Sequence, residues 1–203
     1  MSSQISIAKH IVDGSITIDS VSEFQGMLQI FPNDPALHRA YADLLVRKKL
    51  YGAAAKSYHR AAELFAGSGL LLQAVVCKVL NWRIRPPAAA EIQNFRDILH
   101  KSKYHAIPTN AFLAGLSHTE LAAVMNAMEL VRLPTGKTIN KIGDAENALY
   151  FIVAGNIKAT TYEPLEKNDL DHRKSSVYLA ENDFFGHIYP LNETQLSHAY
   201  TEN

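Results

Sequence analysis

The chain has 203 residues, 47% of them hydrophobic, and 20 basic against 20 acidic side chains leave a net charge of zero. That length suits one large or two small domains with enough apolar side chains for packed cores. The missing positive charge removes the electrostatic footprint of a nucleic-acid binder or of a protein held on an anionic membrane.

Compartment and solubility follow from a few residues. Cys77, the single cysteine, cannot close an internal disulfide, so a reducing, cytoplasmic setting is expected and the thiol reads as a small buried hydrophobe on a helix. Residues 1–10 lack a basic leader followed by an apolar run, so no signal peptide is expected. The longest apolar stretch, residues 70–80, is interrupted by Gln73 and Lys78 and falls short of the ~20 residues that a bilayer requires.

The first hundred residues show helical patterning that repeats every ~34 residues. Frames opened at Met1, Pro35 and Gly69 align Ala8 with Ala42 and Val76, and Ile11 with Leu45 and Val79. In the second half of each frame Ser20 aligns with Ala54 and Ala88, Phe24 with Tyr58 and Ile92, and Met27 with Ala61 and Phe95. Tyr51, Ala54, Tyr58 and Ala61 make a large-small-aromatic-small face, on which small residues let two antiparallel helices approach and the ring fills the groove beside them. Pro32 closes the first frame, and Asn33-Asp34-Pro35 reads as a helix cap followed by proline at the first helical position. This pattern resembles tetratricopeptide repeats, and the resemblance implies stacked helical hairpins with a groove for a peptide or protein partner. Arg47-Lys48-Lys49 reads first as basic residues complementing a helix C-terminus and second as a clamp for a peptide carboxylate. Trp82 reads as a packing residue.

Pro86-Pro87 should start a further helix through Ile98-Leu99, with the domain boundary in residues 101–108, which gives domains of residues 1–102 and 103–203. Ser117 and Glu120 form a Ser-x-x-Glu capping box at the head of a helix ending near Ala127. Around Met128 the apolar period changes from helical to alternating, so residues 128–134 are expected to be the first strand and residues 168–176 an exposed hairpin or a disordered loop.

The later motifs are Leu133-Pro134-Thr135-Gly136-Lys137-Thr138-Ile139, Ile142-Gly143-Asp144, Leu149-Tyr150-Phe151-Ile152-Val153-Ala154-Gly155, and Val177-Tyr178-Leu179-Ala180-Glu181-Asn182-Asp183-Phe184-Phe185-Gly186. Their glycines suit strand reversals at positive φ. Together with the Leu116-Ser117-His118-Thr119-Glu120-Leu121 helix they resemble a cyclic nucleotide-binding domain. The resemblance implies an antiparallel β-roll, a cupin-like jelly roll, ending in a cassette where Phe-Gly-Glu opens a short helix and a later Arg holds the cyclic phosphate. It places the nucleotide pocket at Phe185, Gly186, His187, Ile188 and His198. His187 stands where the family has Glu, and no Arg or Lys follows Lys174; the nearest substitute for the Arg is His198, in His198-Ala199-Tyr200-Thr201, which resembles the family's Arg-Ala-Ala-Thr with a slightly longer loop. A charge-assisted hydrogen bond contributes about 1.5–3 kcal/mol, so the missing guanidinium alone weakens a phosphate ligand by roughly ten- to a hundredfold.

The expected fold is therefore α+β, with all-α tetratricopeptide-like hairpins followed by a β-roll that lacks the family's last strands and closing helices, as if cut from a longer protein. The expected function is a non-enzymatic regulatory or scaffold role: the repeats take a protein or peptide partner, and the degenerate roll binds cyclic nucleotide weakly or not at all. No other cofactor, nucleic acid, membrane, metal or catalytic residue is expected, and the oligomeric state is open. The alternatives are a true cyclic AMP or cyclic GMP sensor with His187 and His198 in its pocket, or a metal-dependent cupin enzyme using His172, His187 and His198. The cupin reading lacks the His-x-His pair such a site uses. No Gly-x-Ser-x-Gly, Walker, His-Glu-x-x-His or paired-cysteine motif occurs.

Overall fold

The computed structural model describes Ile16 and residues 18–104, 106–141, 148–164, 172–187 and 198–202, and among these described residues seven helices precede six short antiparallel strands. The layout is mixed α+β with the helices first. The chain divides into two compact units, Met1–Met128 and Glu129–Asn203. The boundary expected at residues 102–103 lies inside the first unit, because the two helices that follow it pack on the helices that precede it. Among the described residues no helix is long and apolar enough to cross a membrane.

Capping chemistry sets the helix starts. Helix α1 (Val21–Ile30) is capped by Ser20, whose Oγ accepts from the Glu23 amide at 3.3 Å. Helix α2 (Pro35–Arg47) is capped by Asp34, whose Oδ1 accepts from the Leu37 amide at 2.9 Å, with Pro35 at the first position as the sequence predicts. Helices α3 (Tyr51–Gly67) and α4 (Leu71–Ile84) follow through two copies of one turn. After α2, Lys49 takes φ 60° and the Leu50 amide reaches back to the Leu45 carbonyl; after α3, Gly69 takes φ 79° and the Leu70 amide reaches the Phe65 carbonyl. Both are Schellman closures, and each ends in a leucine.

The α2–α3 seam is built from small side chains. Ala42, Leu45, Ala54 and Tyr58 form one buried cluster, and Ala61 and Ala62 are fully covered. The repeat alignment places Ala42 with Val76 and Leu45 with Val79, and all four are buried; Ala8 and Ile11 lie outside the described residues. Of the aligned Phe24, Tyr58 and Ile92, the first two are core residues and Ile92 is half-buried; Phe24 packs against Leu37, Ala40 and Leu44. Replacing Ala54 with Leu is expected to destabilise this seam by about 1–3 kcal/mol through overpacking. An unchanged urea midpoint would show that the helices do not meet there.

Helix α4 is covered on nearly all sides, which explains its almost continuous apolar sequence. Helix α5 (Ala89–His100) begins two residues after Pro86-Pro87 and is set off from α4 by Trp82 and Phe95, which meet edge to face at 5.9 Å. Helices α6 (Pro108–Gly115) and α7 (His118–Ala127) pack against α4 and α5. Asn110 Nδ2 donates to the Gly69 and Tyr104 carbonyls at 2.9 and 3.0 Å, and a Cβ on Gly69 would overlap the Tyr104 ring. The Ser117–Glu120 capping box forms reciprocally, and its hydrogen bonds hold the Glu120 carboxyl below its ordinary value.

In the second unit the strands are β1 (Thr138–Asn140), β2 (Ala148–Phe151), β3 (Ile157–Pro164), β4 (His172–Leu179), β5 (Phe184–His187) and β6 (His198–Glu202). They form a four-stranded sheet in the order β1-β6-β3-β4 and a two-stranded sheet of β2 and β5. Ile152, Ile157 and Phe185 make its core, with Ile139, Tyr150 and Leu179 packed against them. One expectation is corrected and one alternative chosen. Residues 128–134 carry no strand and Val131 is well exposed, because alternation becomes a strand only where a neighbour takes the hydrogen bonds. Residues 172–176 belong to β4 and pair antiparallel with residues 160–164, which fits the hairpin alternative and not the loop; β4 is an edge strand, where polar residues such as Ser176 face water freely.

Candidate functional site

The sequence points to two places, the helical hairpins and the β5 segment. In the hairpins the most unusual group is Lys78, in the middle of apolar α4 and only 4% exposed. A buried ammonium is costly unless paired and hydrogen-bonded. Here three helices supply partners: Lys78 Nζ lies 2.7 Å from His59 Nδ1 on α3 and 3.2 Å from Glu91 Oε1 on α5. The faces of Trp82 and Phe95 stand 5.8 and 5.6 Å from the same nitrogen.

Glu91 is the hub of this cluster. Its Oε1 also accepts from Trp82 Nε1 at 3.0 Å, and its Oε2 faces Arg85 at 3.5 Å. Burial alone would raise the carboxyl, but the hydrogen bonds from Trp82 and Lys78 and the charges of Lys78 and Arg85 outweigh it and hold the group below the ordinary glutamate value. At the rim, His59 Nε2 faces Glu63 Oε1 at 3.4 Å and Arg60 faces Glu63 Oε2 at 3.5 Å. The arrangement is an ion-pair network that fastens α3, α4 and α5.

A second polar group lies deeper in the α2–α3 seam. The Tyr58 hydroxyl donates to Asp43 Oδ1, and burial together with that carboxylate pushes the phenol far above its ordinary range. Burial likewise pushes the Cys77 thiol up to about 12, so the side chain behaves as the inert packing residue that the sequence predicts. Arg47 closes α2 as its basic last residue, Lys48 follows as the cap, and Trp82 is a packing residue that also donates to Glu91.

The predicted pocket residues occupy these places. Phe185 is buried in β5 and stacks on Tyr150 at 4.8 Å with an interplanar angle of 11°. Gly186 takes φ 100° opposite Leu149, where a Cβ would overlap the Ala148 carbonyl oxygen. His187 closes β5 opposite Ala148, whereas His198 opens β6 opposite Thr161 in the other sheet. Ile188 lies outside the described residues. Residues 184–187 are strand, each pairing with a residue of β2, and the residues after His187, where the resemblance implies a short helix, lie outside the described residues. The entry to β5 is a tight turn in which the Asp183 carboxylate accepts from the Ala180 amide at 2.8 Å and Asn182 takes φ 73°.

No family model, curated protein or solved structure matches this chain. The Lys78 network was missed by the sequence reading, although one signal was available. Lys78 and Gln73 interrupt a run of apolar residues too continuous for an exposed helix, and both are buried.

Proposed function

We propose that the chain is a non-enzymatic, cytoplasmic regulatory or scaffold protein in which tetratricopeptide-like hairpins take a protein partner. In this reading the strand unit is a cyclic nucleotide-binding-like β-roll of cupin type, serving as a packing or signalling module. The observation that carries the proposal is the seam between α2 and α3: small residues, Ala42 and Ala54, are buried there beside Tyr58, and the same turn follows α2 and α3, as a stacked-hairpin solenoid requires. A solenoid exposes a long, continuous surface, which suits macromolecular partners better than small substrates. The polar groups buried along these helices support the same reading, since Ser57 donates to the His38 carbonyl and Asn81 to the Ala55 carbonyl, fastening helix to helix.

The ligand half of the proposal rests on the sequence. With His187 in the carboxylate position and no guanidinium after Lys174, cyclic AMP and cyclic GMP are expected to bind weakly or not at all at pH 7.5. Calorimetric titration of the full chain checks this. Micromolar or tighter binding would overturn the degenerate-site reading and put nucleotide sensing first. If His198 replaces the Arg, any residual affinity should rise as pH falls through the imidazole range, because only imidazolium attracts the phosphate. The scaffold half is tested by cross-linking a captured protein to the full chain: cross-links along residues 21–127 support it, and cross-links confined to residues 129–203 oppose it.

A further inference from the structure

We infer that His59 is a proton-operated latch, which in its neutral form ties α5 to α3 through Lys78 and Glu91 and releases that tie when it takes up a proton. An ammonium group has only protons to offer, so a ring nitrogen 2.7 Å from Lys78 Nζ must present its lone pair. This fixes the tautomer: Nδ1 is bare, and the ring proton sits on Nε2, facing Glu63 Oε1. Protonation of Nδ1 would set an N–H against the ammonium, and the contact must open.

The surrounding charges decide where the ring goes. From α3 it meets Glu63, which is shared with Arg60; from α4 come Lys78 and, at the helix end, Arg85; from α5 comes Glu91, already bonded to Lys78, Trp82 and Arg85. Glu63 is 47% exposed and also faces Arg60, so it does not hold the ring in place. Lys78 is buried beside α5 and cannot retreat. The imidazole, itself 47% exposed, is the group free to swing outward. Lys78 and Glu91 then remain paired, so α5 stays joined to α4 while its link to α3 is lost. One proton, taken up at a half-exposed ring, thus loosens one helix–helix junction and leaves the other in place.

Trp82, the only tryptophan, lies on the α4–α5 side that stays joined, but its ring stands 5.8 Å from Lys78 Nζ and so senses a change in the partners of that ammonium. Fluorescence of the full chain followed on acidification should show a one-proton step. The step should vanish in His59→Gln, which cannot titrate. It should persist in His100→Gln, whose ring lies at the Ala114 carbonyl. Nitrogen-15 imidazole spectra of the unaltered protein at the alkaline end of the titration should show the proton on Nε2 of His59. A missing step in the unaltered protein, a step that survives in His59→Gln, or a proton on Nδ1 overturns the inference. If His59→Gln does not fold, the tautomer measurement decides.

Discussion

Replacing Glu91 with Ala is expected to destabilise the helical unit by about 3–5 kcal/mol, the range found when one partner of a buried ion pair is removed. The change leaves the Lys78 ammonium buried with a neutral imidazole as its remaining hydrogen-bond partner, and it strips Trp82 Nε1 of its acceptor. Lys78→Met should behave differently. It swaps a buried charge for an apolar chain of similar length, while Glu91, at 21% side-chain exposure, keeps Trp82, Arg85 and water, so the net change should stay within about 1 kcal/mol of zero. Urea unfolding followed by Trp82 fluorescence reads this unit specifically. Equal losses in the two variants would mean that the cluster stabilises by packing, not by charge.

The same carboxylate gives a pH dependence of definite sign. Its folded value lies below the ordinary 4.5, so its contribution is fully present above that pH and is lost as pH falls through the lower folded value. The unaltered protein should therefore lose more stability on acidification below about pH 4.5 than Glu91→Gln does.

What the sequence made legible is mostly local. The Ser117–Glu120 box and the Asp34-Pro35 start depend on residues within one turn of each other, and both are present as read. Gly136 and Gly155 take positive φ because the turns that contain them demand it, whatever lies around them. Burial at Ala42, Leu45, Val76 and Val79 followed from periodicity alone. What stayed hidden needs partners that local sequence does not name. His59 and Lys78 are 19 positions apart and Lys78 and Glu91 are 13 apart, so their meeting depends on how three helices pack. The polar sequence at the start of β4 reads equally as a hairpin or a loop until its pairing with β3 is known. His187 and His198 fall in different sheets, a fact set by strand pairing that no spacing rule supplies.

Gly186→Ala is expected to destabilise the strand unit by about 3 kcal/mol, through two causes that act together. The first is conformational, since an L side chain at φ 100° costs about 1–3 kcal/mol. The second is steric: the new Cβ would overlap the Ala148 carbonyl oxygen and press on the Tyr150 ring at 3.2 Å. A ring can shift by a few tenths of an ångström, but a backbone oxygen in a paired strand cannot turn away without opening the β2–β5 register. Opening it also separates Tyr150 from Phe185, whose stack supplies part of the unit's small core. Gly136→Ala is the control, because it carries a similar backbone penalty at φ 79° while its Cβ would meet open space. Hydrogen exchange of the full chain should show residues 148–151 and 184–187 losing protection in Gly186→Ala and keeping it in Gly136→Ala. If the two variants lose protection and stability equally, the close approach of Gly186 to β2 is not what holds this sheet together.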